Sequence, residues 1–124
     1  MKKFTLLLSF FLLSSLFAFG TPRRIILDNK GPIDNRSGFQ LYFDMPQVFY
    51  DDDPKSQEII IDGGGVVSYY DVEITSASTS NVEISTTVNG TYDSFDVSSL
   101  TAGSHVITIE SPSGNIFEGT FVTY

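Results

Sequence analysis

The fold is decided by the stretch Phe95-Asp-Val-Ser-Ser-Leu-Thr-Ala-Gly-Ser-His-Val-Ile-Thr-Ile109, which has the pattern of a strand, a tight corner and a second strand. Phe95 and Val97 share one parity, so their side chains point to the same face of an extended chain. After the corner, Ile107 and Ile109 share a parity with a polar residue between them. The leucine between the two halves fills the corner, and the Ala-Gly pair supplies the turn. The stretch therefore predicts a central pair of strands in a β-sandwich.

The rest of the chain repeats this strand pattern. Phe39 to Phe43, Tyr70 to Ile74 and Val82 to Val88 alternate apolar with polar residues, while Glu58 to Asp62 is wholly apolar and β-branched in its centre. Asn89-Gly90 is the strongest signal for a hairpin turn, because both residues tolerate positive φ. No segment has a helical period. The sequence therefore predicts an all-β fold, an antiparallel β-sandwich of about seven short strands.

Residues 1–20 have the pattern of a secretory signal peptide. Two lysines precede an apolar run that extends to Phe19, and Ala18 and Gly20 provide the small residues of a signal-peptidase site. The run is short for a membrane span and no second one follows, so a retained anchor is the weaker interpretation. We expect the mature protein to begin at Thr21, to be exported and to have no membrane insertion after cleavage.

The mature chain is long enough for one domain with one core, and it contains no cysteine, so no disulfide stabilises it. Residues 21–36 carry four basic and two acidic residues, whereas residues 37–124 carry one lysine against thirteen acids. This asymmetry predicts an N-terminal arm (21–38) lying across an acidic β-sandwich domain (39–124), or an arm that meets a separate partner. So negative a chain is not expected to bind nucleic acid or anionic membranes.

Catalytic signals are few. His105 is the only histidine, so any histidine-dependent triad must use it. Ser104 points to the opposite face of the same strand, and His105 shares the parity of Ile107, which places it at the top of the core face. The nucleophile-elbow, zinc-protease and Walker motifs are absent. We therefore expect a protein that is not an enzyme, with a small hydrolase using His105 as the enzymatic alternative.

A weak calcium site is the one metal candidate. Asp51 and Asp53 would face the same way in an extended chain, and calcium prefers carboxylate and carbonyl oxygens. The EF-hand spacing is missing, since Lys55 and Ser56 occupy the positions where an acid and a glycine are needed. A solvated loop is the competing interpretation. No other metal and no cofactor is predicted.

Exposed tyrosines are the candidate ligand-binding residues. Tyr42, Tyr50 and Tyr69 fall off the core parity, and exposed tyrosines bury a large area on binding at small entropic cost. The competing interpretation is that tyrosine simply favours strands. The sequence contains no tryptophan, which weakens a sugar-stacking platform without excluding one.

The C-terminal half resembles a known family. The run Phe95–Glu110, followed by Gly114 and the closing stretch Phe117–Phe121, is similar to small exported immunoglobulin-like proteins of gut anaerobes that are classed as a domain of unknown function. It also resembles C-terminal sorting and adhesion modules of secreted proteins. His105 stands where that family usually has a tyrosine. The resemblance implies an immunoglobulin-like β-sandwich outside the cytoplasm, and it carries no known active site.

These observations together predict an exported, non-enzymatic binding or adhesion module with a protein or glycan partner outside the cytoplasm, whether periplasm, cell surface or medium. The alternative is a structural subunit that assembles through edge strands. It would use Arg23–Leu27 or Phe117–Tyr124 as the added strand.

Overall fold

Nine β-strands arranged in two antiparallel sheets make up the part of the chain that the computed structural model describes, residues 22–31 and 44–124. The strands are β1 (Arg23–Ile25), β2 (Asp28–Gly31), β3 (Gln47–Asp51), β4 (Glu58–Asp62), β5 (Tyr69–Ser76), β6 (Val82–Asn89), β7 (Tyr92–Asp96), β8 (Gly103–Glu110) and β9 (Ile116–Thr123). One sheet has the order β1-β3-β4-β7 and the other the order β2-β9-β8-β5-β6. The predicted all-β sandwich is confirmed, with nine described strands instead of about seven.

The core lies between the two sheets and follows the alternation seen in the sequence. On β5 and β8 every second side chain faces inward, because successive residues of a strand point to opposite faces. Tyr70, Val72, Ile74, Ile107 and Ile109 are all buried, with at most 2% of their surface exposed. The predicted inward face of these two strands is confirmed, and burial of its apolar surface is the main stabilising contribution to the fold.

The stretch that decides the fold spans both sheets. Strand β7 is an edge strand of the four-stranded sheet, whereas β8 lies between β9 and β5 in the other sheet. The two strands are therefore not an adjacent central pair. The corner between them forms as predicted: Leu100 packs against the core, and Gly103 has a φ of 130°, a conformation that side chains disfavour.

The hairpin predicted at Asn89-Gly90 is wrong. Strands β6 and β7 lie in different sheets, so this connection crosses the sandwich, and neither of its two residues has positive φ. Glycine is needed there because a side chain on Gly90 would collide with the backbone carbonyl of Val67. The hairpin that contains β6 joins it instead to β5, through the Ser/Thr-rich turn at 77–80, where Ser80 has a φ of 61°.

Residues 23–31, expected in an N-terminal arm, form edge strands of both sheets. Strand β1 pairs with β3, and β2 pairs with β9, so the chain between them crosses from one sheet to the other. The edge strand predicted at Arg23–Leu27 is present over Arg23–Ile25. Gly119 permits the crossing, because a Cβ there would lie 2.6 Å from Ile25 Cγ2 and 2.8 Å from the Ile26 carbonyl oxygen.

Several predictions fall on other parts of the chain. The signal peptide, the rest of the arm up to residue 38 and the strand predicted at Phe39–Phe43 lie outside the described residues, apart from the arm's first strands. Within residues 22–31 and 44–124, no helix has the length and apolar character needed to cross a membrane.

Candidate functional site

Of the three predicted binding tyrosines, the structure describes Tyr50 and Tyr69, and these two do not come together. Tyr42 lies outside the described residues, and Tyr69 is 41% exposed on the outer face, as predicted. Tyr50 is only 5% exposed, so its predicted outward orientation is wrong. Val48 and Tyr50 share the inward face of β3, so the parity predicted for residues 39–43 does not extend into β3.

Tyr50 instead forms the floor of a groove on one side of the sandwich. Its ring lies 5.2 Å from that of Phe121, measured between ring centroids and at 51° between planes. Strand β2 pairs only with residues 116–118 of β9 and does not extend along the later part of that strand. An opening between the two sheets therefore lies between the later part of β9 and strand β1. We call this opening the lateral groove. It has a volume of about 240 Å³ and is lined by Arg23, Arg24, Tyr50, Phe121, Val122 and Tyr124 among others.

The rim of the lateral groove combines charge with exposed apolar surface. Tyr124 is 88% exposed and Val122 is 44% exposed. Arg23 Nη2 lies 3.5 Å from Asp52 Oδ2, and because both side chains are solvated this ion pair contributes little stability. Burial, and secondarily the charge of Asp52, raises the pKa of Tyr50, so the floor of the groove keeps a neutral hydroxyl at physiological pH.

A buried polar cluster lies next to the groove, centred on His105. The imidazole is 1% exposed and its ring centroid lies 5.5 Å from that of Phe121. Nε2 is 2.7 Å from the carbonyl oxygen of Thr101 and 3.0 Å from Thr123 Oγ1. A carbonyl oxygen only accepts hydrogen bonds, so Nε2 carries the proton. Nδ1 lies 2.9 Å from Glu83 Oε2, which completes what we call the His105 cluster.

Glu83 reaches His105 because of an irregularity in β6. Ile74 pairs with Ile84 and Thr75 with Val82, so Glu83 is an extra, bulged residue. A β-bulge redirects a side chain that simple alternation would place on the outer face. The Thr101 hydroxyl donates to Glu83 Oε1 at 2.7 Å, and this hydrogen bond is the main reason that the pKa of Glu83 is lowered. Sequence reasoning missed Glu83 because a bulge has no signature in the apolar pattern.

Glu83, His105 and Thr123 have the order of an acid, a base and a hydroxyl, but the hydroxyl that would act as nucleophile is buried and already hydrogen-bonded. Glu83 Oε2 and His105 Nδ1 lie 2.9 Å apart and have no other hydrogen-bond partner among the described residues. Thr123 is 4% exposed and its hydroxyl donates to the Thr101 carbonyl at 2.8 Å. His105 is buried as predicted, at the start of the core face of β8. The cluster therefore connects β6, the β7–β8 connection and the end of β9 through buried polar contacts.

A second buried cluster, centred on Asp44, lies beyond the opposite end of β8. Its Oδ2 accepts hydrogen bonds from Ser111 Oγ at 2.7 Å, Ser113 Oγ at 2.8 Å and Asn115 Nδ2 at 2.8 Å. Burial acts to raise the pKa of Asp44, but these three donors outweigh it and the pKa is lowered. The Tyr70 hydroxyl donates to the Asp44 carbonyl at 2.8 Å. This Asp44 cluster fastens the segment before β3 to the β8–β9 turn.

The two candidate calcium ligands, Asp51 and Asp53, accept hydrogen bonds from backbone amides of their own loop. Asp51 Oδ1 accepts a hydrogen bond from the Asp53 amide, and Asp53 Oδ1 accepts one from the Lys55 amide. Within the described ranges, no group of three or more acidic or histidine side chains is arranged to hold a metal ion. Calcium binding by this loop stays a prediction.

A second exposed apolar surface lies at the Asp44 end of the sandwich. Val66, Tyr69 and Tyr92 are 59%, 41% and 60% exposed. The two connections that carry them are joined by backbone hydrogen bonds, including Gly65 N to Gly90 O and Gly90 N to Ser68 O, both 3.0 Å. We call this surface the loop end. The exposure of Tyr92 and Tyr124 could have been predicted from the sequence, because both residues have the parity opposite to that of their buried neighbours.

Comparison with known proteins identifies the fold. No protein-family model and no curated protein matches the chain. Its structure is similar to that of a DUF3244 family protein from Bacteroides vulgatus with an immunoglobulin-like β-sandwich fold. The TM-score is 0.64 at 12% identity, over 84% of this chain and 100% of that chain. At this identity the likeness shows the fold alone, and it confirms the immunoglobulin-like fold that the C-terminal resemblance implied.

Proposed function

We propose that the chain is an exported, non-enzymatic binding module that holds a protein or glycan ligand in the lateral groove. The observation that carries the proposal is the composition of that groove. Aromatic rings of Tyr50 and Phe121 form its floor, while Arg23, Arg24 and Tyr124 line it. Aromatic and arginine side chains are the residues most enriched where binding energy concentrates.

The size of the groove favours recognition of part of a larger partner. Pockets that enclose a whole small molecule measure roughly 300–1,000 Å³, whereas the lateral groove measures about 240 Å³. That volume suits one sugar ring or a side chain with its neighbouring backbone. The signal-peptide pattern of residues 1–20 supports export, and the burial of the Thr123 hydroxyl, which already donates to the Thr101 carbonyl, supports a role other than catalysis.

The experiment is a screen of the purified chain against arrays of extracellular glycans and against surface-protein extracts. Each hit is then measured with Tyr124→Ala and with Tyr69→Ala, which removes a tyrosine at the loop end instead. A loss confined to Tyr124→Ala supports the lateral groove. A loss confined to Tyr69→Ala would move the site to the loop end, where the sequence placed one binding tyrosine.

A structural subunit that assembles through edge strands is the second candidate. It is favoured by the edge of β1 that no described strand pairs with, and by the part of β9 beyond residue 118, which pairs with β8 but not with β2. Extended segments add readily to such edges. Sizing of the purified chain tests this candidate, because open-ended assembly gives a ladder of species that grows with concentration.

A further inference from the structure

Strand β6 has the longest edge in the described part of the chain. It ends the five-stranded sheet and has β5 as its one partner among the described strands. It contains eight residues, whereas the other three edge strands, β1, β2 and β7, contain three, four and five. The outer row of N–H and C=O groups on such an edge is a template for pairing with another strand.

The sequence of this edge lacks the features that usually prevent such pairing. Natural edge strands are protected by charges, by proline or by bulges. The bulge at Glu83 affects only the start of β6, and Ile84–Asn89 pairs with β5 in regular register. This segment contains no charged residue and no proline, whereas β1 has two arginines and β7 has two aspartates. The regular part of β6 therefore has an edge that no described strand covers, which we call the open edge.

The edge is also complementary to itself. In an antiparallel pair of two copies centred on Thr86, Ser85 lies opposite Thr87 of the other copy and Ile84 lies opposite Val88. Ile84 and Val88 pack on the inner side of the sheet, and Ser85 and Thr87 are exposed, so each opposed pair shares a face. Hydroxyl pairs and apolar pairs across antiparallel strands are stabilising.

Charges do not oppose this register. The one charged residue of β6, Glu83, falls opposite Asn89 of the other copy, so no like charges face each other. A pairing of β1 with its own copy centred on Arg24 would place two arginines in direct opposition. The pattern of charge thus selects β6 over β1 as the self-pairing edge.

We propose that the chain forms a closed two-fold dimer through antiparallel pairing of the Ile84–Asn89 edges. The pairing joins two five-stranded sheets into one continuous sheet and consumes both open edges, so assembly stops at two copies. The lateral groove lies at the opposite side of the sandwich, against β1 and β9, and remains open in each copy. The dimer is therefore independent of the proposed binding function.

The acidic character of the chain gives the dimer a recognisable salt dependence. Each copy has a formal net charge of −8 over the whole sequence, so two copies repel each other at long range. Salt screens this repulsion over about 8–10 Å at physiological ionic strength. The dimer is expected to become tighter as sodium chloride is raised from low to physiological concentration.

Sedimentation equilibrium of the purified chain, with a charge-swap pair of variants, tests the proposal. S85K/T87K places lysines opposite lysines in the dimer, and we expect association to weaken more than tenfold. In each protomer the new lysines face Glu73 and Asp71 of β5, so the fold is not destabilised. S85K/T87E instead places opposite charges across the interface, and this variant is expected to dimerise. Its new glutamate faces Asp71 of β5 and replaces the Thr87 hydroxyl that donates to Asp71 Oδ1, so its folded state is first checked by circular dichroism.

S104K/T120K is the control for net charge, since it adds two lysines at exposed positions on β8 and β9, away from β6. It is expected to dimerise like the parent chain. Amide hydrogen exchange of residues 84–89 should also slow as protein concentration rises. A parent chain that stays monomeric up to millimolar concentration would overturn the proposal. So would equal association of S85K/T87K and the parent, or an open-ended ladder of species.

Discussion

The two ends of β8 carry the two buried polar clusters of the described chain, and they differ in construction. Beyond one end, three neutral donors of the β8–β9 turn converge on the single oxygen Oδ2 of Asp44. At the other, Glu83 shares its two oxygens between Thr101 and His105. The Asp44 cluster joins residues 67 to 71 positions apart, whereas the Glu83–Thr101 hydrogen bonds span 18 positions.

The two ends also differ in their surfaces: hydrogen bonds between loops cover the Asp44 end, whereas the His105 end has a groove. At the Asp44 end the loops are bonded to one another, and the exposed apolar residues lie on a surface that hydrogen bonds hold in place. At the His105 end the sandwich opens sideways into the lateral groove, whose floor contacts the cluster through Phe121. Buried polar residues at both ends thus stabilise the fold, and the concave aromatic surface beside the His105 cluster is the site that we propose for the ligand.

The apolar middle of β8, between the two ends, is expected to show the largest mutational effect. Ile107→Asp places an uncompensated charge at a position with 0% exposure, a penalty of several kcal/mol against a total stability of about 5–15 kcal/mol. The variant should be largely unfolded by circular dichroism. Thr108→Asp, on the outer side of the same strand, faces the solvated Glu73 and Glu118 and should lose some stability but remain folded. Equal tolerance of both changes would contradict the assigned faces of β8.

Mutation of the Asp44 cluster should have the second-largest effect on stability. Asp44→Ala leaves the donors of the β8–β9 turn without their shared acceptor, and hydrogen bonds to a charged group contribute about 1.5–3 kcal/mol. For a domain of this size that loss lowers the melting temperature by roughly 10 °C. Glu83→Gln keeps one acceptor for Thr101 and should lower the melting temperature less. If Glu83→Gln lowered the melting temperature more than Asp44→Ala, the predicted order of the two clusters in stability would be wrong.

The pH dependence of stability includes a contribution from the carboxyl groups of the two clusters. The pKa values of Asp44 and Glu83 lie below their ordinary values of 3.8 and 4.5. A carboxyl group with a lowered pKa stabilises the fold above its unfolded-state pKa, and that stability is lost as pH falls through the folded-state value. Urea midpoints should therefore fall steeply below about pH 4. Asp44→Asn should flatten this fall, and an unchanged slope would argue against a charged Asp44 in the fold.

Much of the fold was predictable because a half-buried strand shows itself by alternation. Tyr70, Val72 and Ile74 on β5, and Ile107 and Ile109 on β8, lie where the period-two pattern placed them. The predictions for Tyr50 and for the Asn89-Gly90 hairpin were wrong because both depend on the connections between strands, which do not follow the alternation. An Asn-Gly pair permits a tight turn, but it does not say whether the next strand joins the same sheet.

The candidate site was less predictable, because it is assembled from distant segments. The lateral groove combines residues of β1, β3 and β9, whose meeting depends on the N-terminal crossing over Gly119. The Asp44 cluster looks like an ordinary serine-rich turn in the sequence, and the role of Glu83 depends on a bulge. Local patterns contain no information about which of these segments become neighbours in space.

We propose that the ligand binds in the lateral groove and not at the loop end. The most direct test of this proposal is the affinity of Tyr124→Ala and Tyr69→Ala for the ligand that the array screen selects, measured beside their melting temperatures. Tyr124 is 88% exposed, so its removal should leave the melting temperature nearly unchanged. Loss of an aromatic anchor of about 2 kcal/mol weakens binding roughly thirtyfold. We predict this loss for Tyr124→Ala and normal binding for Tyr69→Ala; normal binding by Tyr124→Ala with a loss for Tyr69→Ala would contradict the account.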